Sequence, residues 1–171
     1  MDGFTTRAIR AASRTPRVEQ RPTSVPIYQA ATFSSADADE LGAVTTGATD
    51  GYVYSRLGNP TVDALANAVA ELHGAEAGFA AATGMAAIHL AVGSLAGAGD
   101  RIVATRNLYG TTRALFTRVL ARQGVESAFV DPADFGAVEA ALAAAPARLL
   151  YLETISNPTI AVADLPALAA L

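Results

Sequence analysis

The chain has no cysteine, no tryptophan and only two histidines. Without cysteine there are no disulfides and no thiolate-zinc sites. His73 and His89 are too few for most imidazole-based metal centres. No uninterrupted apolar run is long enough to cross a bilayer; Leu90–Ala98 is short and rich in glycine and alanine. The absence of a signal-type hydrophobic stretch makes the cytoplasm the expected location. Charged residues are sparse at 16%, and the net charge of −4 gives no electrostatic ground for nucleic-acid binding. Lysine is missing altogether, so the 12 basic residues are all arginine. That removes the side chain that forms covalent imines with carbonyl compounds, because a guanidinium stays protonated.

What is present is a globular composition: 171 residues, 51% of them hydrophobic, enough for one domain with a core. Residues 1–57 read as mostly irregular. Arg7, Arg10, Arg14, Arg17 and Arg21 open the chain in a mix shared by organelle transit peptides and by basic N-terminal arms, and we take the second reading. Val25-Pro-Ile-Tyr-Gln follows Pro22 too closely for regular helix, and Thr45–Gly51 is turn-rich. So long an irregular opening suits an arm that packs on another subunit.

From residue 58 the pattern becomes regular. Asn59 caps a helix with Pro60 at its first position, and Gly74 closes it. Val62, Leu65, Val69 and Leu72 fall on one face of that helix. Glu76–Ala82 reads as a short strand, and Thr83-Gly84 opens a helix carrying Met85, Ile88, Val92 and Leu95. Strands are expected at 101–105, 126–130 and 148–152, and helices at 112–123 and 134–144. In the first of these helices Leu115, Phe116, Val119 and Leu120 point inward and Arg113, Arg118 and Arg122 outward; the second carries Phe135, Val138 and Leu142. Asp164-Leu-Pro166 starts a last helix with Leu168 and Leu171 on its apolar face, and the sequence reads as stopping mid-motif. Alternation at this spacing implies an α/β fold with a mostly parallel sheet and flanking helices.

In parallel sheets, ligands sit where strand ends lead into loops. Ala82-Thr-Gly-Met85 offers glycine and free helix-start N–H groups to an anion, or is an ordinary turn. Asn107-Leu-Tyr-Gly-Thr-Thr112 places Tyr109 where it could stack on a flat ring, or lie half-buried at a sheet edge. Glu153-Thr-Ile-Ser-Asn-Pro158 offers the Asn157 amide to a ligand oxygen, or is a polar turn. Tyr54 and Arg56 share a side of an extended segment, and the Arg56 fork suits phosphate. Together these describe a phosphate site with a ring above it. Gly93, Gly97 and Gly99 do not make the glycine fingerprint of a dinucleotide-binding dehydrogenase.

In this order the segments resemble the Cys/Met-metabolism (trans-sulfuration) family of pyridoxal 5′-phosphate enzymes. The family includes cystathionine gamma-synthase, cystathionine lyases, O-acetylhomoserine sulfhydrylase and methionine gamma-lyase. Thr5-Thr-Arg-Ala-Ile9, Val25-Pro-Ile-Tyr-Gln-Ala-Ala-Thr-Phe33, Tyr54-Ser-Arg-Leu-Gly-Asn-Pro-Thr61, Thr83-Gly-Met-Ala-Ala-Ile88, Leu108-Tyr-Gly110 and Glu153-Thr-Ile-Ser-Asn-Pro158 carry the likeness. The resemblance implies the large domain of the type I (aspartate aminotransferase-like) fold, in part, over residues 58–171, preceded by an intersubunit arm at 1–57. It implies that Tyr54 and Arg56 reach the cofactor phosphate of a neighbouring subunit. Gly84 and Met85 would bind phosphate through backbone N–H groups. Tyr109 would stack on the pyridine ring and assist proton transfer, Asn157 would meet the ring hydroxyl oxygen, and Glu153 would shape that loop.

The resemblance further implies a small amino-acid substrate, of cystathionine, homoserine-ester or methionine type, and a homotetramer. Family members are at least about twice as long. The Asp that pairs with the pyridinium nitrogen and the Lys that holds the cofactor covalently lie, in the family pattern, beyond residue 171. Thr111 stands where methionine gamma-lyases typically have cysteine, which counts against that activity. The alternative to an N-terminal portion of such an enzyme, inactive alone, is a non-catalytic truncated paralogue. Borohydride reduction of the chain with pyridoxal phosphate is expected to leave no stoichiometric label apart from the N-terminal amine. Peptide mapping by mass spectrometry checks this; a specific internal label would contradict it.

Overall fold

A computed structural model of the chain describes residues 3–6 and 22–171. The arginines from Arg7 to Arg21, and the block from Thr5 to Ile9 beyond Thr6, lie outside the described residues. The chain divides into two compact units, one ending at Ala80 and the other running from Ala81 to Leu171.

The first unit is less irregular than its sequence suggests. Helix α1 spans Ala38–Thr45. Its N-cap Asp37 accepts from the Glu40 N–H at 2.8 Å, and the Glu40 carboxylate reaches back to the Ala36 N–H. Asp37-Ala-Asp-Glu40 is a capping signature within a stretch otherwise read as loop. Helix α2 spans Pro60–His73, with Asn59 as N-cap, Pro60 in its first turn and Gly74 closing it at φ 62°.

The inward side of α2 differs from expectation. Ala66 and Ala70 are buried, while Val62, Leu65, Val69 and Leu72 are exposed, Leu72 at 85%. The cause lies at Gly78, where a Cβ would meet the Ala66 carbonyl oxygen at 2.3 Å and the Ala70 Cβ at 3.4 Å. A backbone this close to a helix tolerates only alanine on the facing side, so the larger apolar residues point away. Glu76–Ala82 is not a strand. No strand among the described residues pairs with it, and a strand exists only through its ladder.

The second unit is a three-stranded parallel sheet covered on both faces. Helix α3 (Gly84–Leu95) precedes β1 (Arg101–Thr105), and β2 (Glu126–Val130) and β3 (Leu150–Tyr151) lie on either side of it in the order β2-β1-β3. The central strand is buried from Ile102 to Thr105, as expected of a parallel strand with helices on both sides. Ile102 and Ala104 pack with Val92 of α3 and with Leu115, Phe116 and Leu120 of helix α4 (residues 110–123). Val103 packs on the other face with Val138 of helix α5 (Phe135–Ala144) and Leu168 of helix α6 (Leu165–Ala169).

The two crossovers explain this. The chain moves from β1 outward to β2 by way of α4, then back across β1 to β3 by way of α5. Right-handed connections travelling in opposite directions place their helices on opposite faces.

Helix α4 starts earlier than expected and is not uniform. It is α-helical over Gly110–Ala114, a π-turn over Leu115–Val119 and a 3₁₀ turn over Leu120–Gln123. The π-turn adds a residue to one turn and shifts the phase. Leu115, Phe116 and Leu120 stay buried, but Val119 swings out to 43% exposure. Arg113, Arg118 and Arg122 point outward, as expected, with Arg113 4.3 Å above the Phe129 ring.

Three further apolar residues are exposed against expectation: Leu95 on the outer side of α3, Phe135 at the start of α5, and Leu171 beyond the last turn of α6. At the sheet's N-terminal edge Asp100 accepts from the Gly97 N–H and pairs with Arg148 at 2.9 Å. These donors hold its carboxyl below the usual range.

Gly78→Ala is expected to destabilise the chain by roughly 1–3 kcal/mol, the usual cost of overpacking a tight contact. Gly84→Ala, whose Cβ would meet nothing within 4 Å, should be far milder. Urea unfolding of the two variants checks the contrast.

Candidate functional site

The order β2-β1-β3 makes the loops after β1 and β3 diverge at the C-terminal edge of the sheet. Such a divergence opens a crevice. Tyr109 follows β1, and Glu153 and Asn157 follow β3. The Glu153 carboxylate ties the two loops together, accepting from the Tyr109 N–H at 2.9 Å with one oxygen and from the Asn157 N–H at 3.1 Å with the other.

Behind that link the second loop is braced internally. Ser156 is buried, its hydroxyl 2.6 Å from that of Thr159 and accepting from the Ala161 N–H at 3.0 Å. Ile155 and Val162 form an antiparallel bridge. The outward-facing groups are left free to act, since Asn157 is exposed and Tyr109 is 44% exposed.

The start of α3 joins this cluster. Thr83 caps it by accepting the Ala86 N–H at 3.1 Å, and the Thr83 carbonyl takes the Ala87 N–H. The N–H groups of Gly84 and Met85 have no intrahelical acceptors, by the geometry of any helix start. The space before Gly84 is open. Twelve residues of helix stand behind these two donors, so an anion there meets both hydrogen bonds and the positive end of the dipole. Met85 is tied to the Tyr109 segment through Thr112, whose hydroxyl points at the Met85 sulfur from 3.8 Å.

Beneath the site lies Tyr151, the last residue of β3. Its ring packs edge-on against Phe116, with centroids 5.0 Å apart. Burial pushes its phenol above the ordinary value, and the Glu153 charge adds to that; the nearby Thr112 hydroxyl acts the other way.

Sequence reasoning singled out neither Thr112 nor Tyr151. The signal for Thr112 was present: it stands three and four residues before Leu115 and Phe116, a polar residue in phase with the inward face of α4.

Tyr54 and Arg56 belong to the first unit. The Arg56 guanidinium lies 4.6 Å above the Tyr54 ring, brought there by a turn at residues 55–57 rather than by the extended segment expected. The backbone around them is fixed by pairing with residues 31–33: Phe33 N–H donates to the Val53 carbonyl, and Ser55 N–H to that of Ala31. Asn59 is a hub. Its amide nitrogen donates to the Tyr28 carbonyl and the Ser55 hydroxyl, while its oxygen accepts the Thr61 N–H, all at 2.9 Å. Thr61 in turn donates to the Pro26 carbonyl and accepts from the Tyr28 N–H. The structure therefore gathers Gly84, Met85, Tyr109, Glu153 and Asn157 in one unit, and Tyr54 with Arg56 in the other.

The sequence model described as Cys/Met metabolism PLP-dependent enzyme matches residues 5–171. An L-methionine gamma-lyase of Fusobacterium nucleatum is 41% identical over 145 residues, covering 85% of this chain and 36% of that enzyme. An O-succinylhomoserine sulfhydrylase of Mycobacterium tuberculosis is 44% identical over 121 residues, covering 71% of this chain and 30% of that one. Among solved structures, a Campylobacter jejuni protein containing N′-pyridoxyl-lysine-5′-monophosphate superposes with a TM-score of 0.80 at 32% identity. That match covers 91% of this chain and 39% of the other. The chain thus spans between 30% and 39% of the length of these relatives.

Replacing Glu153 by Gln removes the charge beside Tyr151 while keeping an acceptor. The Tyr151 phenol is then expected to titrate lower than in the unaltered chain, though still above an ordinary tyrosine because burial remains. Ultraviolet difference titration of the phenols checks this; an unchanged or upward-shifted profile contradicts it.

Proposed function

This chain belongs to the Cys/Met metabolism PLP-dependent enzyme family, and from that premise we propose that its second unit holds most of a pyridoxal 5′-phosphate site. The observation that carries the reading is the double hydrogen bond of Glu153, which sets an exposed ring, Tyr109, beside an exposed amide, Asn157. The start of α3, with its two free donors, is joined to the same cluster through Met85 and Thr112. The fit to the group is good in chemical kind. A phosphate suits the Gly84 and Met85 N–H groups, where the missing Cβ leaves room. A flat heteroaromatic ring suits the face of Tyr109. A ring oxygen suits the Asn157 amide.

In this reading Gly84 and Met85 anchor the phosphate, Tyr109 orients the ring and holds a proton at its hydroxyl, and Asn157 fixes the ring's rotation. Glu153 touches only backbone and positions the two loops. Bound pyridoxal phosphate supplies an electron sink for negative charge developing at a substrate carbon. None of these 171 residues offers a lysine amine for covalent attachment. Tyr54 and Arg56 would serve the phosphate of a neighbouring copy, their cation–π stack holding the guanidinium fork rigid. Residues 1–57 would then act as an arm between subunits of a homo-oligomer, a tetramer by the family resemblance.

For the whole protein we propose elimination or replacement at a sulfur-containing or O-acylated homoserine-type amino acid, carried out in the cytoplasm. Among the described residues no helix is long and apolar enough to cross a membrane. The relatives include both a lyase and a sulfhydrylase, so residues shared with both do not select between the two outcomes. Thr111 still counts against methionine as substrate.

The test is an amide NMR titration of the chain with pyridoxine 5′-phosphate, which has the ring and phosphate but no aldehyde. Shifts are expected at Gly84, Met85, Tyr109, Gly110 and Asn157. Inorganic phosphate should move only the first two. Shifts confined to other segments, or none at saturating ligand, would overturn the reading.

A further inference from the structure

Thr112 is fully buried, yet it is a polar residue in an otherwise apolar layer formed by Ile102, Ala104, Leu115 and Phe116. A buried hydroxyl is retained at little cost only when its hydrogen bond has a partner. Here the partner is the Met85 sulfur of α3, at 3.8 Å. Tyr151 of β3 packs nearby, its ring edge-on to Phe116, one helical turn from Thr112. Thr112 thus joins two elements, the start of α3 and the first turn of α4. Tyr109 lies three residues earlier, at the start of α4, and its carbonyl accepts the Arg113 N–H at 3.0 Å. Any rotation of that first turn carries the Tyr109 ring with it. Glu153 fixes the backbone of Tyr109 from outside the sheet; Thr112 fixes the same turn from within.

We propose that Thr112 is a positioning residue of this site, its buried hydroxyl holding the Gly84-Met85 donors and the Tyr109 ring in one register. The inference rests on the assignment of those groups as phosphate and ring contacts, but the interlock itself is a property of this chain alone. Thr112 touches no ligand and is not catalytic. Its effect on binding is exerted through Met85 and Tyr109.

The experiment compares Thr112→Val, which keeps the shape and loses the hydroxyl, with Thr112→Ser, which keeps the hydroxyl and loses a methyl. Hydrogen exchange of the whole chain is read by segment, together with affinity for pyridoxine 5′-phosphate. In Thr112→Val the hydrogen-bonded amides of residues 84–87 and 110–113, those of Ala86, Ala87 and Arg113, are expected to exchange roughly fivefold faster, the equilibrium worth of one hydrogen bond. The amides of α5 should be unchanged, and pyridoxine phosphate should bind several-fold more weakly. Thr112→Ser should restore exchange at both segments, and Met85→Leu, which removes the sulfur acceptor, should reproduce the faster exchange at 110–113.

Unchanged exchange at both segments in Thr112→Val overturns the proposal, as does equal acceleration throughout the chain in the Val and Ser variants. If Thr112→Val fails to fold, Met85→Leu decides by the same exchange criterion. If the unaltered chain does not bind pyridoxine phosphate, the site assignment fails, and the exchange comparison still decides the role of Thr112.

Discussion

The carboxylate of Glu153 bridges the loops that leave β1 and β3. Chain direction reverses between the β1–β2 and β2–β3 connections, so the loops leaving β1 and β3 part company at the C-terminal edge of the sheet. Two backbone N–H groups, one from each loop, converge on the two oxygens of that side chain. A charged acceptor bonded to both loops makes stronger hydrogen bonds than a neutral one. It also spends no side-chain group of Tyr109 or Asn157 in doing so. That is why both residues keep their functional ends exposed while their backbones are fixed. The proposed site depends on this: a stacked ring would need a defined Tyr109, and a ring oxygen a defined Asn157 amide.

Unit one solves a similar problem with a neutral side chain. Asn59 caps α2 with its oxygen and uses its nitrogen to hold Tyr28 and Ser55. Thr61 completes the clasp to Pro26 and Tyr28. The Asn-Pro-Thr run is therefore both a helix start and the fastening for a segment some thirty residues earlier. With that segment fastened, Tyr54 gains a bridge to Thr32, and in the turn that follows Arg56 stacks on the Tyr54 ring. Specific motifs in this chain are places where one polar side chain satisfies several backbone groups at once.

Much of the fold was legible. The three strands, the capped starts of α2, α3, α5 and α6, and the parallel alternation follow from period, capping residues and turn glycines, all of which act over a few residues. The failures are of another kind. Glu76–Ala82 has strand composition but no partner strand. The apolar stripe of α2 faces away because Gly78 brings backbone against Ala66. Val119 turns outward because a π-turn shifts the helix phase. Helix α1 was missed although Asp37 and Glu40 mark it, because its residues are nowhere deeply buried and its apolar pattern is weak.

The sequence alone named the candidates for the proposed site, a glycine at a helix start, a tyrosine and an asparagine after strands, in a chain without lysine. Those are choices of chemical type, and a side chain's chemistry is local. Which of these residues meet was decided only by the tertiary structure. Strand order brings residues 109 and 153 together across 44 positions of sequence, and packing recruits Thr112, at the end of the Asn107–Thr112 segment, and Tyr151, which no motif marks. Contacts of that range depend on crossover handedness and on which face of a helix the core claims. Both are properties of the packed sheet that no short stretch of sequence contains.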